Sequence, residues 1–174
     1  MKRRESFTLI ELLVVMGIIG LLVALLFPAI GAARLAANRA RAQAEVRALE
    51  AAMNKYLLDY GRFPGQTTAA DKSYTSGNAS QIAEYAALID TLRGVTTSNN
   101  PRREVYLEVA TGSVTTNGFV DPWDRPYRMV VDGNFDKSIS LPSPLSGTVQ
   151  GRSVVVWSAG PDGTNVANFI KSWD

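Results

Sequence analysis

The chain has 174 residues, 46% of them hydrophobic, and its 18 Lys and Arg against 16 Asp and Glu give a formal net charge of +2. That length suits one ordinary globular domain, or a smaller one with an appended element. Cysteine and histidine are both absent, which excludes a disulfide framework and a thiolate metal centre and removes the commonest general base and zinc ligand. The positive excess does not mark a nucleic-acid partner. Lys2, Arg3, Arg4 and Glu5 sit within the first six residues, and the remainder carries 15 basic and 15 acidic side chains. Basic residues ahead of an apolar segment act instead as an orientation signal that keeps their end cytoplasmic.

Residues 12–30 form a charge-free run of 19, inside a wider segment, residues 7–33, whose only charge is Glu11. About 20 helical residues at 1.5 Å each cross a hydrocarbon core of roughly 30 Å, so this segment is long enough to be a transmembrane helix. A cleaved secretory signal is the competing reading, with residues 29–33 imitating its small-residue cleavage site. The downstream pattern argues against it. Ala42, Val46, Leu49, Met53, Tyr56 and Tyr60 follow one another at spacings of 4, 3, 4, 3 and 4, the stripe of an amphipathic helix. Arg41 and Glu45 pair at i,i+4 on another face. Alanine-rich composition favours continuation, and Gly61 with Pro64 supplies the stop. One helix of about 50 residues, roughly 80 Å long, is expected, its first half in lipid and its second half packed on a domain.

Residues 65–100 are polar and read as a surface connection holding one helix over residues 80–92, capped by Asn78 or Ser80. Strands are expected at 104–110, 127–131 and 153–157, from alternating or β-branched and aromatic residues. Turn residues through 132–151 suggest a long hairpin excursion between the last two strands.

The run Phe7-Thr-Leu-Ile-Glu11-Leu-Leu-Val-Val-Met-Gly17-Ile-Ile-Gly20, behind its basic leader, resembles the processing and methylation signal of type IV pilins and type II secretion pseudopilins. That resemblance implies an α+β, pilin-like fold: the long N-terminal helix packed on a small antiparallel sheet. It divides the chain into a leader at 1–6, a transmembrane and filament-core helix at 7–33, and a globular head at 34–174. A prepilin peptidase is expected to cut between Ser6 and Phe7 and to N-methylate Phe7; the family usually has glycine where this chain has Ser6. An isolated carboxylate on a lipid-facing helix is costly and tends to have a partner. In the family that partner is a neighbouring subunit's new N-terminal amine, which makes Glu11 the residue that sets assembly register. Gly17, Gly20 and Pro28 weaken the helix. They either are simply tolerated in a membrane helix or, as resembling filaments imply, mark a region that melts when the subunit leaves the bilayer.

Three further landmarks, Tyr60-Gly-Arg-Phe-Pro64, Asp121-Pro-Trp-Asp-Arg-Pro-Tyr127 and Trp157-Ser-Ala-Gly-Pro-Asp-Gly163, resemble those of major pseudopilins of type II secretion. The family's C-terminal loop often binds calcium, and the match assigns the Ala159 carbonyl, the Asp162 carboxylate and Asn165 to that role. This chain departs from the pattern, because no carboxylate follows Asp162 until Asp174, whereas calcium prefers six to eight oxygens with anionic ligands. The plainer reading makes Pro161-Asp162-Gly163 a turn, and Asp121-Pro122 a strand-entry turn with Trp123 and Tyr127 in the core. No cofactor is required.

The resemblance implies a structural subunit that forms a helical homopolymer with minor pseudopilins. Its other partners would be the prepilin peptidase, an inner-membrane platform protein and an assembly ATPase. Single-pass insertion in the inner membrane with a periplasmic head would precede entry into a periplasmic or extracellular filament. The alternative is a type IV pilus major or minor pilin serving adhesion, motility or DNA uptake; the lack of any disulfide loop favours type II secretion. An enzyme without His or Cys would need a carboxylate pair or a Ser-Lys arrangement, and candidates such as Asp121 and Asp124 sit in a turn that packing explains. A nucleic-acid binder would need a basic, aromatic-interleaved patch, and Arg102, Arg103, Arg125 and Arg128 are too mixed with acids to make one.

Overall fold

A computed structural model describes residues 8–74, 78–110 and 112–174. The chain separates into two compact units, residues 1–38 and 39–174. The first helix, α1 (Leu9–Tyr60), comprises 52 residues and is assigned without a break through Pro28. In the first unit its large apolar side chains, among them Ile10, Leu13, Leu21, Leu25 and Phe27, are all exposed. It is the one helix among the described residues long and apolar enough to cross a membrane.

In the second unit the stripe read from the sequence is the packed face. Ala42, Val46, Leu49, Met53 and Tyr56 are buried, joined by Ala52, while Tyr60 packs at the edge of the same cluster. Gly61 ends the helix in the left-handed region at φ 67°, and its N–H donates to the Leu57 carbonyl at 2.8 Å. Glycine adopts that conformation without a Cβ penalty.

The strand β1 (Lys72–Tyr74) precedes α2 (Ala79–Leu92), whose N-cap is Asn78, with its side-chain oxygen accepting from the Gln81 N–H at 2.9 Å. There follow β2 (Val114–Thr115), β3 (Gly118–Phe119), β4 (Arg128–Val131), β5 (Ser138–Ser140), β6 (Thr148–Gln150), β7 (Val154–Ser158), a 3-10 turn at Val166–Asn168, and β8 (Ile170–Lys171). The main sheet is antiparallel in the order β1-β4-β7-β8, while β2-β3 and β5-β6 form separate hairpins. Strand β4 sets Met129 opposite Val156 and Val131 opposite Val154.

Strand periodicity of two divides the sheet's side chains between two apolar layers. Met129, Val131, Val154 and Val156 join Tyr74 and the residues of α1 and α2 in one cluster. Val130, Val155 and Trp157 join Ile139, Leu145 and Phe169 in the other. The β5-β6 excursion expected from the turn residues therefore has a packing role, since it covers the second face of the sheet. All five residues of β7 are buried, as expected of a strand covered on both sides.

Two sequence expectations are corrected. The run 104–110 forms no strand. Its Tyr106 and Leu107 N–H groups both donate to the Leu92 carbonyl at the end of α2, at 2.8 and 3.0 Å, so its backbone is partnered by a helix terminus. The segment 65–100 is more than a surface connection: Tyr74, Tyr85, Leu88, Ile89 and Leu92 are core residues. A fully buried Asn100 ties it down, donating to the carbonyls of Thr91 and Glu104 and accepting from Tyr60 Oη at 3.1 Å and the Glu104 N–H at 3.1 Å. Every hydrogen-bonding position of that amide oxygen and nitrogen found in the fold is directed at this junction, as a buried polar group requires.

Polar contacts also fasten α1 to the rest of its unit. Tyr127 Oη donates to Glu45 Oε2 at 2.6 Å, Arg152 pairs with Glu50 at 2.7 Å, and Gln43 Nε2 donates to the Lys171 carbonyl at 3.2 Å. Burial, reinforced by the adjoining Glu45 carboxylate, pushes the Tyr127 phenol far above its ordinary range, so it stays protonated and remains the donor to Glu45.

Candidate functional site

The two regions singled out by sequence are the helix N-terminus and the C-terminal loop. The cleavage residues Ser6 and Phe7 lie outside the described residues. At the start of α1, Thr8 N and Thr8 Oγ1 donate to Glu11 Oε2 at 2.8 and 2.6 Å, and the Glu11 N–H returns to Thr8 Oγ1 at 3.3 Å. Thr8 is thus the N-cap and Glu11 the N3 residue of a reciprocal capping box, in which two otherwise unpartnered N–H groups are satisfied. The carboxylate also sits at the positive end of the helix dipole. The Thr-x-x-Glu spacing that announces this cap was present in the sequence, beside the assembly reading of the same residue.

Further along α1, a Cβ built on Gly17 or Gly20 meets nothing within 4 Å. Space within the subunit therefore does not demand glycine at either position. Pro28 removes one backbone donor from the ladder at a point where the surrounding side chains are exposed.

In the head, two landmarks far apart in sequence meet. Asp121, only 3% exposed, accepts from the N–H groups of Trp123 and Arg125 through Oδ1, at 2.9 and 3.0 Å. Its own N–H donates to the Arg125 carbonyl at 2.8 Å. Its second oxygen, Oδ2, accepts from Ser158 Oγ at 2.6 Å, and that hydroxyl accepts from the Gly160 N–H at 3.0 Å. The carboxylate closes the turn 121–125 on itself and locks it to the end of β7.

Arg125 reaches the same loop from this turn. Its Nη1 donates to the Gly160 carbonyl, and its guanidinium lies so close to Gly163 that a Cβ there would come within 2.9 Å of Cζ and Nε. Gly160 is equally constrained: at φ 67°, a Cβ would stand 2.4 Å from the Asn168 carbonyl oxygen. Gly160 lets the chain approach its own backbone where no side chain fits, and Gly163, at φ 77°, adopts a conformation that favours glycine.

The three candidate calcium ligands fall in this loop. Ala159 is buried. Asp162 Oδ2 accepts from Asn168 Nδ2 at 2.8 Å. That bond, helped by N–H groups of the loop backbone, holds the Asp162 carboxyl below its usual range. Asn165 Oδ1 caps the 3-10 turn by accepting from the Ala167 N–H at 3.1 Å. Two of the three groups therefore already accept internal hydrogen bonds, and the described residues contain no set of three or more acidic, His or Cys side chains placed to hold a metal. This donor set does not fit calcium, which needs several anionic oxygens free to converge. Asp121 and Asp124, the pair considered for catalysis, lie in the turn just described, where Asp121 is wholly engaged by structural donors.

Comparison with known proteins places these features in context. Residues 1–27 match the family model described as the prokaryotic N-terminal methylation motif. The chain is 30% identical over 142 residues to the type II secretion system core protein G of Aeromonas hydrophila, covering 78% of this chain and 80% of that protein. A core protein G of Klebsiella pneumoniae is 27% identical over 174 residues, 99% of this chain and 96% of its own length. A fimbrial protein of Neisseria meningitidis serogroup B is 29% identical over 107 residues, 61% of each chain. No solved structure matches significantly.

Proposed function

This chain belongs to the family of type II secretion system core protein G, the major pseudopilins, and we propose that it is the repeating subunit of a type II secretion filament. The observation that carries the proposal is the first unit of α1. From Leu9 to Ala33 its side chains are, Glu11 aside, apolar and exposed on every face, as suits a surface that first meets lipid and later meets other copies of itself. The capped helix start and the matched methylation motif support the same reading.

In this proposal the N-terminus is cytoplasmic and the head periplasmic, in keeping with the basic residues ahead of the apolar helix. Prepilin peptidase removes residues 1–6 and methylates Phe7, which frees an amine at the helix's positive end. That amine then pairs with Glu11 of a neighbouring copy, and the pair fixes the stagger between subunits. The ion pair neutralises two groups that are each expensive in an apolar bundle. Thr8 engages Oε2 of that carboxylate, and a charged amine offers it a stronger partner than a neutral hydroxyl. The assembly ATPase, the platform protein and minor pseudopilins complete the machinery, and the Gly17, Gly20 and Pro28 region loosens as the subunit leaves the bilayer. The role is structural rather than enzymatic.

Intact-mass and peptide mass spectrometry of the chain from a membrane fraction tests the processing step. The expected N-terminus is methylated Phe7; a chain still beginning at Met1 in cells with active prepilin peptidase would contradict it. The fimbrial relative supports a second reading, a type IV pilin. It predicts the same processing, but loss of twitching or DNA uptake rather than of protein secretion when the gene is deleted.

A further inference from the structure

We propose that Arg125 is the built-in cation of the C-terminal loop, so that this head folds and holds its loop without a divalent metal. The inference concerns the head alone and does not depend on which filament the subunit enters.

The loop turns at Gly160 and Gly163, at φ 67° and 77°, and carries the Gly160 carbonyl and the Asp162 carboxylate as acceptors. A loop of this composition needs a positive centre or a set of N–H donors to satisfy its oxygens. Both are supplied from within the chain. The Asp162 carboxylate is held by the Asn168 amide at 2.8 Å, while the Gly160 carbonyl is held by Arg125 Nη1. The guanidinium does not end there, because its Cζ, Nε and Nη2 pack directly over Gly163. An arginine carries five donors and a permanent charge, so it can bind a carbonyl and fill the concavity of a glycine turn at the same time.

Its delivery is also determined. The Arg125 N–H and carbonyl are both hydrogen-bonded to Asp121, at 3.0 and 2.8 Å, and Asp121 is joined through Ser158 to the Gly160 N–H. The two ends of the Gly160 peptide environment, its N–H through Ser158 and its carbonyl through Arg125, therefore report to one turn. That turn is bounded by Pro122 and Pro126, whose rings fix their own φ angles. A calcium ion would need the Asp162 and Asn165 oxygens that Asn168 and Ala167 now occupy.

The test uses the processed full-length chain in detergent and follows its thermal midpoint and calcium binding by calorimetry. The wild-type midpoint is expected to be the same in millimolar calcium and in excess chelator, with no binding heat. In chelator, Arg125→Ala is expected to melt about 5 °C lower, and Arg125→Lys to fall between the two, since it keeps the charge without the planar fork. A wild-type midpoint that climbs by about 5 °C or more with calcium would overturn the proposal, as would an unchanged midpoint for Arg125→Ala. Should Arg125→Ala fail to fold, the wild-type calcium response and Arg125→Lys still decide the matter.

Discussion

Glu11→Ala is expected to reach the membrane fraction at the wild-type level and yet be nearly absent from filaments. Insertion depends on the apolar run that follows, which the substitution leaves untouched and even makes more apolar. Assembly depends on the charge. A charge-assisted hydrogen bond contributes about 1.5–3 kcal/mol, and tenfold in an equilibrium constant is about 1.4 kcal/mol. Losing one such contact at every subunit step should thus reduce polymer by at least about tenfold. The capping box supplies a way to separate two roles of the same side chain. Glu11→Gln keeps an N3 oxygen that can serve the Thr8 cap but has no charge to offer an amine. Thr8→Val removes the hydroxyl half of the cap, leaving the residue-8 backbone N–H as a donor to the Glu11 carboxylate, and keeps the charge. If register is the role, Glu11→Gln fails in assembly as Glu11→Ala does, while Thr8→Val still assembles. Filaments of Glu11→Ala at wild-type abundance would remove the register argument altogether.

The second large effect is in the head. Asp121→Ala is expected to destabilise it by about 3 kcal/mol, because the part-buried Trp123 and Arg125 N–H groups and the buried Ser158 hydroxyl all lose their acceptor. For a domain of this size that corresponds to a fall of about 10 °C in the thermal midpoint, readable by circular dichroism of the full chain in detergent. Asp121→Asn should lose much less. Its remaining carbonyl oxygen can still serve the two N–H groups, and its amide can donate to the Ser158 hydroxyl, which then reverses its role. Equal midpoints for Asp121→Ala and wild type would show that the turn 121–125 is held by its prolines and not by the carboxylate.

The sequence made the local features legible. The apolar run, the 4-3-4-3-4 stripe ending at Gly61 and the turn-rich excursion before β7 are each determined by neighbours in the chain, and each stands where expected. Features that depend on distant partners were not legible. Lys72-Ser73-Tyr74 is too short and too polar to announce a strand, and it becomes β1 only because β4 offers a register in which Tyr74 is opposite Met129. Val105, Leu107 and Val109 alternate as a strand would, yet the N–H groups of Tyr106 and Leu107 find the end of α2 instead.

The same limit applied to the candidate site. Asp121 and the loop after Trp157 were each read as turns, and nothing local shows that Ser158 and Arg125 join them into one unit. The one sequence signal was a long cation enclosed by Pro122 and Pro126 in an otherwise tight turn, facing a later segment with glycines at 160 and 163. In contrast, the Thr8-x-x-Glu11 cap was fully local. It shows that Glu11 Oε2 has donors within its own chain, the N–H and hydroxyl of Thr8.

The central claim, that this chain is the polymerising subunit, is tested most directly by shearing and pelleting filaments from cells that carry the complete secretion machinery. The account predicts that the chain is the principal protein of the pellet, in processed form, and that it disappears from the pellet when the assembly ATPase is removed. Filaments that form normally while the chain remains wholly in the membrane fraction would contradict it.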